Sequence, residues 1–152
     1  MKFDLPGGRR QPRAWRWVLA TIVAVGVSLA ACAALVAVGK AVYPSTVGYQ
    51  HYAFGDYGKL TIIGVVVACS AWPLMTLVSS RARAPFFLLT IIVTVVGLAP
   101  DGYILFRGQP ADAVLVLVWM HLALAIVTYP ALVLIAPQRQ HDSTTVRDEV
   151  VA

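Results

Sequence analysis

The sequence predicts an all-α polytopic membrane protein, with four transmembrane helices in an antiparallel bundle and both termini cytoplasmic. Three observations carry this. Of 152 residues, 59% are hydrophobic and 12% charged, whereas a soluble domain has about 25% charged residues. The apolar residues gather in four runs, each near the ~20 residues a helix needs to cross a hydrocarbon core about 30 Å thick. The charges collect at the two ends and in short connectors. One small core does not hide so much apolar surface, so the bilayer is the natural solvent.

Residues 1–14 form a basic tail. Pro6-Gly7-Gly8 and the arginines after it specify no folded unit and favour anionic lipid headgroups, so this tail is expected to be disordered. The first span covers about 17–41 and is closed by Lys40. Within it Leu29-Ala30-Ala31-Cys32 matches a lipoprotein cleavage site. However, Ala33 to Gly39 remain apolar where a released N-terminus is normally polar, so the segment is expected to stay as one span. The next loop carries Tyr43, Tyr49, Tyr52, Phe54 and Tyr57, rings that favour the headgroup zone, as Trp15 and Trp17 do at the opposite boundary.

The second span covers about 59–79, between Lys59 and Arg81. The third, about 85–106, opens with Pro85, a residue suited to a first helical turn, and is interrupted at Pro100-Asp101-Gly102. The fourth, about 112–136, is stopped by Pro137. Residues 137–152 are polar and short, and are expected to be a second disordered cytoplasmic tail. Pro73 and Pro130 each remove a helix donor, free a carbonyl and kink their spans.

Orientation follows from charge. Lys2, Arg9, Arg10, Arg13, Arg16, Arg81, Arg83, Arg139 and Arg147 fall on one side. Lys40, Lys59 and Arg107 fall on the other. The positive-inside rule therefore places both termini in the cytoplasm. The net charge of +5 flanks the spans instead of forming one stripe, which argues for a membrane surface and against nucleic acid.

Helices in lipid associate through small residues and hydrogen bonds. The expected inner faces are Gly26, Ala30, Ala33 and Ala37 in span one, and Thr61, Gly64, Ala68 and Met75 in span two. In span three they are Thr90, Thr94, Gly97 and Asp101, and in span four His121, Ala125 and Thr128. The mixed steps of three and four imply left-handed packing.

Asp101 and His121 are the ionisable groups nearest the bilayer interior. Rises of about 1.5 Å per residue put them about 8 Å and about 13 Å below the outer boundary, close enough for one network with Thr94 and Thr128. Such residues are costly in lipid and mark a pathway or binding site, where Asp beside His relays a proton or holds a cation. The local alternative is that Asp101 caps a broken helix end and His121 bonds a carbonyl or Thr94. Cys32 and Cys69 lack metal or redox spacing. Nothing in the sequence calls for a metal, a cofactor or catalysis: GxSxG, HExxH and P-loop motifs are missing. The small multidrug transporters have a membrane-embedded Glu in their first helix, which this chain lacks.

The connector "SSRARAPF", the interrupted span "VVGLAPDGYILF" and the span "VLVWMHLALAIV" with its central His resemble small uncharacterised four-helix membrane proteins of bacteria, a domain-of-unknown-function family. The resemblance implies an integral membrane protein and no assigned activity. Two functions are expected. One is a non-enzymatic accessory, scaffold or stabilising subunit that pairs with another membrane protein or with itself. The other is a small proton- or cation-linked transporter using Asp101 and His121.

Overall fold

The computed structural model describes residues 11–139, which are helical with no strand among them. Helix α1 spans Ala14–Val42, α2 Phe54–Val78, α3 Arg83–Gly97, α4 Ala99–Phe106 and α5 Ala111–Pro130. One wide π-helical segment, Ala131–Ile135, prolongs α5. Four segments are long and apolar enough to cross a membrane: Ala14–Val42, Phe54–Val78, Arg83–Phe106 and Ala111–Ile135. The second starts at Phe54, before Lys59, because Gly55 to Gly58 join the helix, with Asp56 in the first turn where the helix dipole favours an anion. The two expected tails fall largely on residues 1–10 and 140–152, outside the described residues.

The third span is one path with a joint. α3 and α4 meet at Leu98, which keeps right-handed helical angles (φ −77°, ψ −12°). Pro100 sits in the first turn of α4, where its missing N–H is tolerated. The chain therefore continues through Pro100-Asp101-Gly102 instead of turning back.

Two expected packing faces need correction. In α1 the buried residues are Ala20, Ala24, Ser28, Cys32, Val36 and Gly39. Gly26, Ala30, Ala33 and Ala37 are exposed, and a Cβ added at Gly26 would meet nothing within 4 Å. α1 is rich in Ala and Gly all round, so two rows of small residues compete. The buried row steps by four from Ala20 to Val36, not by three and four, and so drifts around the helix. Its first part packs with Val65, Cys69, Trp72 and Leu132. Its last part packs with Tyr52, Ala113, Val116 and Met120. Gly39 decides the row, since a Cβ there would lie 2.8 Å from Val116 Cγ2. In α2, Gly64 is likewise exposed with nothing near it. Ala68 is half-buried, and the buried line is Gly58, Thr61, Val65, Cys69, Trp72 and Thr76.

Indole donors complete the backbone. Pro73 has no N–H for the carbonyl of Cys69, and Trp17 Nε1 from α1 donates to that oxygen at 2.9 Å. Trp17 is therefore turned inward, unlike exposed Trp15. Trp72, fully buried, donates to the carbonyl of Ala136 at 2.8 Å. Phe86 lies between Trp72 and Tyr129, with ring centroids 5.0 and 5.7 Å away.

The third span is held at few points. Phe86 and Asp101 are its only buried residues, one in α3 and one in α4. The connector before it is clamped from the far end of the chain. Gln138 Nε2 donates to the carbonyl of Ser79 at 2.7 Å, and Gln138 Oε1 accepts from the N–H of Ala82 at 3.1 Å. Pro137 and Gln138 are half-buried, so this part of the expected tail is packed structure.

Candidate functional site

Asp101 of α4 lies four residues beyond Gly97, the last residue of α3, a spacing that makes neighbours along a continuing helical path. His121 projects from the middle of α5. The two meet: Asp101 Oδ2 lies 2.9 Å from His121 Nδ1. The Asp101 side chain is 5% exposed and that of His121 34%. Gly97 makes the approach possible, because a Cβ there would sit 3.2 Å from His121 Cδ2. Glycine in a helix costs roughly 0.5–1 kcal/mol against alanine, and here it gives the imidazole its place against α3.

The hydrogen on the ring can be assigned by chemistry. His121 Nδ1 is 3.1 Å from the carbonyl oxygen of Leu117, one turn back in α5. A carbonyl only accepts, so Nδ1 carries a proton. That N–H is directed at Leu117, and the closer carboxylate oxygen lies off its line. The Asp101 contact is thus a close electrostatic approach, and buried Oδ2 has no directional hydrogen-bond donor. Nε2 has no hydrogen-bond partner among the described residues. With the Nδ1 proton directed at Leu117, Nε2 is the acceptor nitrogen of the neutral ring.

The other expected members stand apart. Thr94 Oγ1 donates to the carbonyl of Thr90 in its own helix at 2.7 Å, and Thr90 does the same to Phe86 at 2.9 Å. Neither touches the imidazole. Thr128 is buried but lies seven residues beyond His121, about 10 Å along the axis. Cys32 and Cys69 are free thiols in the core, and Cys32 Sγ is 3.7 Å from Thr61 Oγ1. Among the described residues no three His, Cys, Asp or Glu side chains gather as a metal set.

No family model, curated protein or solved structure matches this chain. The resemblance to a bacterial four-helix family therefore has no matching family model beside it, and function must be argued from the site.

One neighbour was not singled out by the sequence. Tyr49, from the loop between α1 and α2, packs against the cluster that holds Tyr52, Val116 and Met120, as Leu117 of α5 does. Its ring meets Tyr52 edge-on at 5.2 Å, and Tyr52 Oη donates to the carbonyl of Ala113 at 3.1 Å. Tyr49 Oη is buried without a hydrogen-bond partner. Burial pushes its phenol above the usual value, and the Asp101 carboxylate pushes it further. The signal in the sequence was only one tyrosine among several in that loop.

Proposed function

We propose that this chain is a multi-pass bacterial inner-membrane protein whose Asp101–His121 pair is a reversible proton site in proton- or cation-linked transport. The 2.9 Å approach of the two side chains carries the reading. Placing an acid and an imidazole in lipid is costly. Pairing them on separate helices, with a glycine opposite the ring, is a specific arrangement and not a by-product of helix capping. A proton at Nε2 makes the pair an ion pair, and its loss leaves an uncompensated carboxylate. That difference supplies a driving force for moving α4 against α5. In this reading the four spans form an antiparallel bundle, both termini are cytoplasmic, and no catalysis takes place.

The test uses purified protein in liposomes under a pH gradient. Flux of protons with the wild type, and its loss in both Asp101→Asn and His121→Gln, is expected. Each single change should also destabilise the protein, and the double change should cost less than the sum, with a coupling of about 0.5–3 kcal/mol for a contacting pair. Wild-type liposomes as tight as empty ones would remove the transport reading.

A second reading is favoured by α1. Gly26, Ala30, Ala33 and Ala37 form an exposed row among the described residues, and small residues are how membrane helices approach closely. An accessory subunit that seats a helix of another membrane protein, or of a second copy, on that face is the alternative. Co-purification of a stoichiometric partner in mild detergent, lost in Ala30→Leu, would favour it.

A further inference from the structure

Two buried polar atoms at one corner of the molecule lack hydrogen-bond partners: Asp101 Oδ2 and Tyr49 Oη. They come from different elements, the first from α4 and the second from the loop that closes α1 on α2. A chain of contacts links them. Tyr52 is anchored to the carbonyl of Ala113, and Tyr49 stands against Tyr52. One turn further along α5 is Leu117, which packs with this cluster. The Leu117 carbonyl holds His121 Nδ1, and Asp101 Oδ2 lies on that same nitrogen. Tyr49 and Leu117 thus pack against one cluster, the Tyr49 hydroxyl is buried there, and the Asp101 carboxylate acts on it.

We infer that Tyr49 is the third member of the site, its hydroxyl donating to a water molecule that in turn donates to Asp101 Oδ2. This rests on the reading of Asp101–His121 as a proton site. Polar groups beyond direct hydrogen-bond reach of each other are commonly bridged in this way. A single water satisfies both orphaned atoms at once, and a buried polar atom left unpaired is costly. The phenol is the donor because it stays neutral: burial and the Asp101 carboxylate both disfavour its anion. The titratable groups around this corner are Asp101 from α4, His121 from α5, and Tyr52 and His51 from the loop, the His51 ring standing 5.3 Å from that of Tyr49 and its Nδ1 3.7 Å from Asp56, with Asp112 at the start of α5 acting on Tyr52. The proton step is simple. A proton reaching the bridging water forms hydronium. One hydronium O–H bond breaks as the Oδ2–H bond of Asp101 forms, which leaves water and a neutral carboxyl group. Tyr49 is a positioning residue: it holds the water and keeps its own proton.

The experiment uses the full chain in lipid nanodiscs. Infrared difference spectra after a pH step give a carboxyl band, assigned to Asp101 by its loss in Asp101→Asn. In Tyr49→Phe, which keeps the ring and its contact with Tyr52, this band should move to higher wavenumber as its hydrogen bond weakens. Liposome flux should fall about tenfold, the factor of one hydrogen bond of about 1.4 kcal/mol. A band in the same place in Tyr49→Phe overturns the assignment, even where flux is present and the proton site stands. A band that moves while wild-type liposomes show no flux supports Tyr49 and removes transport instead. If Tyr49→Phe does not fold, carbon-13 tyrosine spectra of Asp101→Asn decide. The Tyr49 resonance should then titrate at lower pH than in the wild type, and an unchanged midpoint overturns the proposal.

Discussion

Trp17 repairs the helix that Pro73 interrupts. The proline leaves the carbonyl of Cys69 without its intrahelical donor, and the indole of Trp17 supplies one from the neighbouring helix at 2.9 Å. A local defect in α2 thereby becomes a specific bond between α1 and α2. With the weaker Cys32–Thr61 contact at 3.7 Å, it fixes the register of two helices whose apolar contacts, through Ala20, Ala24, Val65 and Cys69, have no direction of their own.

This dependence is measurable. Trp17→Phe keeps an aromatic ring but strips the donor, and should destabilise the protein by about 1–3 kcal/mol, the cost of an unsatisfied buried carbonyl. Pro73→Ala restores the N–H that the carbonyl lacked. In that background Trp17→Phe should cost much less. Thermal melts of the four proteins in one detergent check it, and equal costs in both backgrounds would show that the ring acts by packing alone.

Two glycines of α1 should respond with opposite sign to the same change. Gly26→Ala adds a methyl in open space, and should stabilise by about 0.5–1 kcal/mol through helix propensity. Gly39→Ala sets a methyl 2.8 Å from the stiff, β-branched Val116. The overpacking cost of about 1–3 kcal/mol should outweigh the propensity gain. Melting temperatures that rise at both positions would contradict the close approach of α1 and α5.

The alkaline limb of stability should depend on Tyr49. Its phenol sits above its ordinary value of 10.0 in the folded protein because of burial and the Asp101 carboxylate. The folded state thus holds a proton that the unfolded state releases first. The contribution is fully present below pH 10 and is lost as pH rises through the folded value. Tyr49→Phe should therefore lose less stability than the wild type on going from pH 9 to pH 11. Parallel pH profiles for the two proteins would remove this linkage.

Orientation is tested by labelling. A cysteine placed at Ser45, introduced after replacing Cys32 and Cys69, should react with an impermeant reagent added outside cells. One placed at Ser80 should react only after the membrane is opened. The reverse pattern would overturn the nine-to-three charge argument.

What the sequence revealed depended on how distinctive each residue was among its neighbours. In the third span Thr90, Thr94, Gly97 and Asp101 stood out against Val, Ile and Leu, and two of them, Gly97 and Asp101, meet His121 of α5. In α1 nearly every residue is small or β-branched, so the row through Gly26 and the row through Ser28 read alike. Contacts with Val116 and Val65, from distant segments, chose between them. The Pro73 defect was visible, but its remedy was not: Trp17 near a helix start reads as a headgroup anchor until the carbonyl it must serve is located. Gln138, in a polar run after Pro137, looked like tail because its partners lie 56 and 59 residues away.

That distance bears on how the chain is made. A ribosome releases residues in order, so the turn at Ser79–Ala82 leaves it well before Gln138 does. Until the final span has been delivered, the Ser79 carbonyl and the Ala82 amide must be satisfied by water. The hairpin of α2 and α3 is thus left unlatched during synthesis. A nascent chain halted before residue 138 has all four spans and still lacks the bolt that closes the turn between the second and the third.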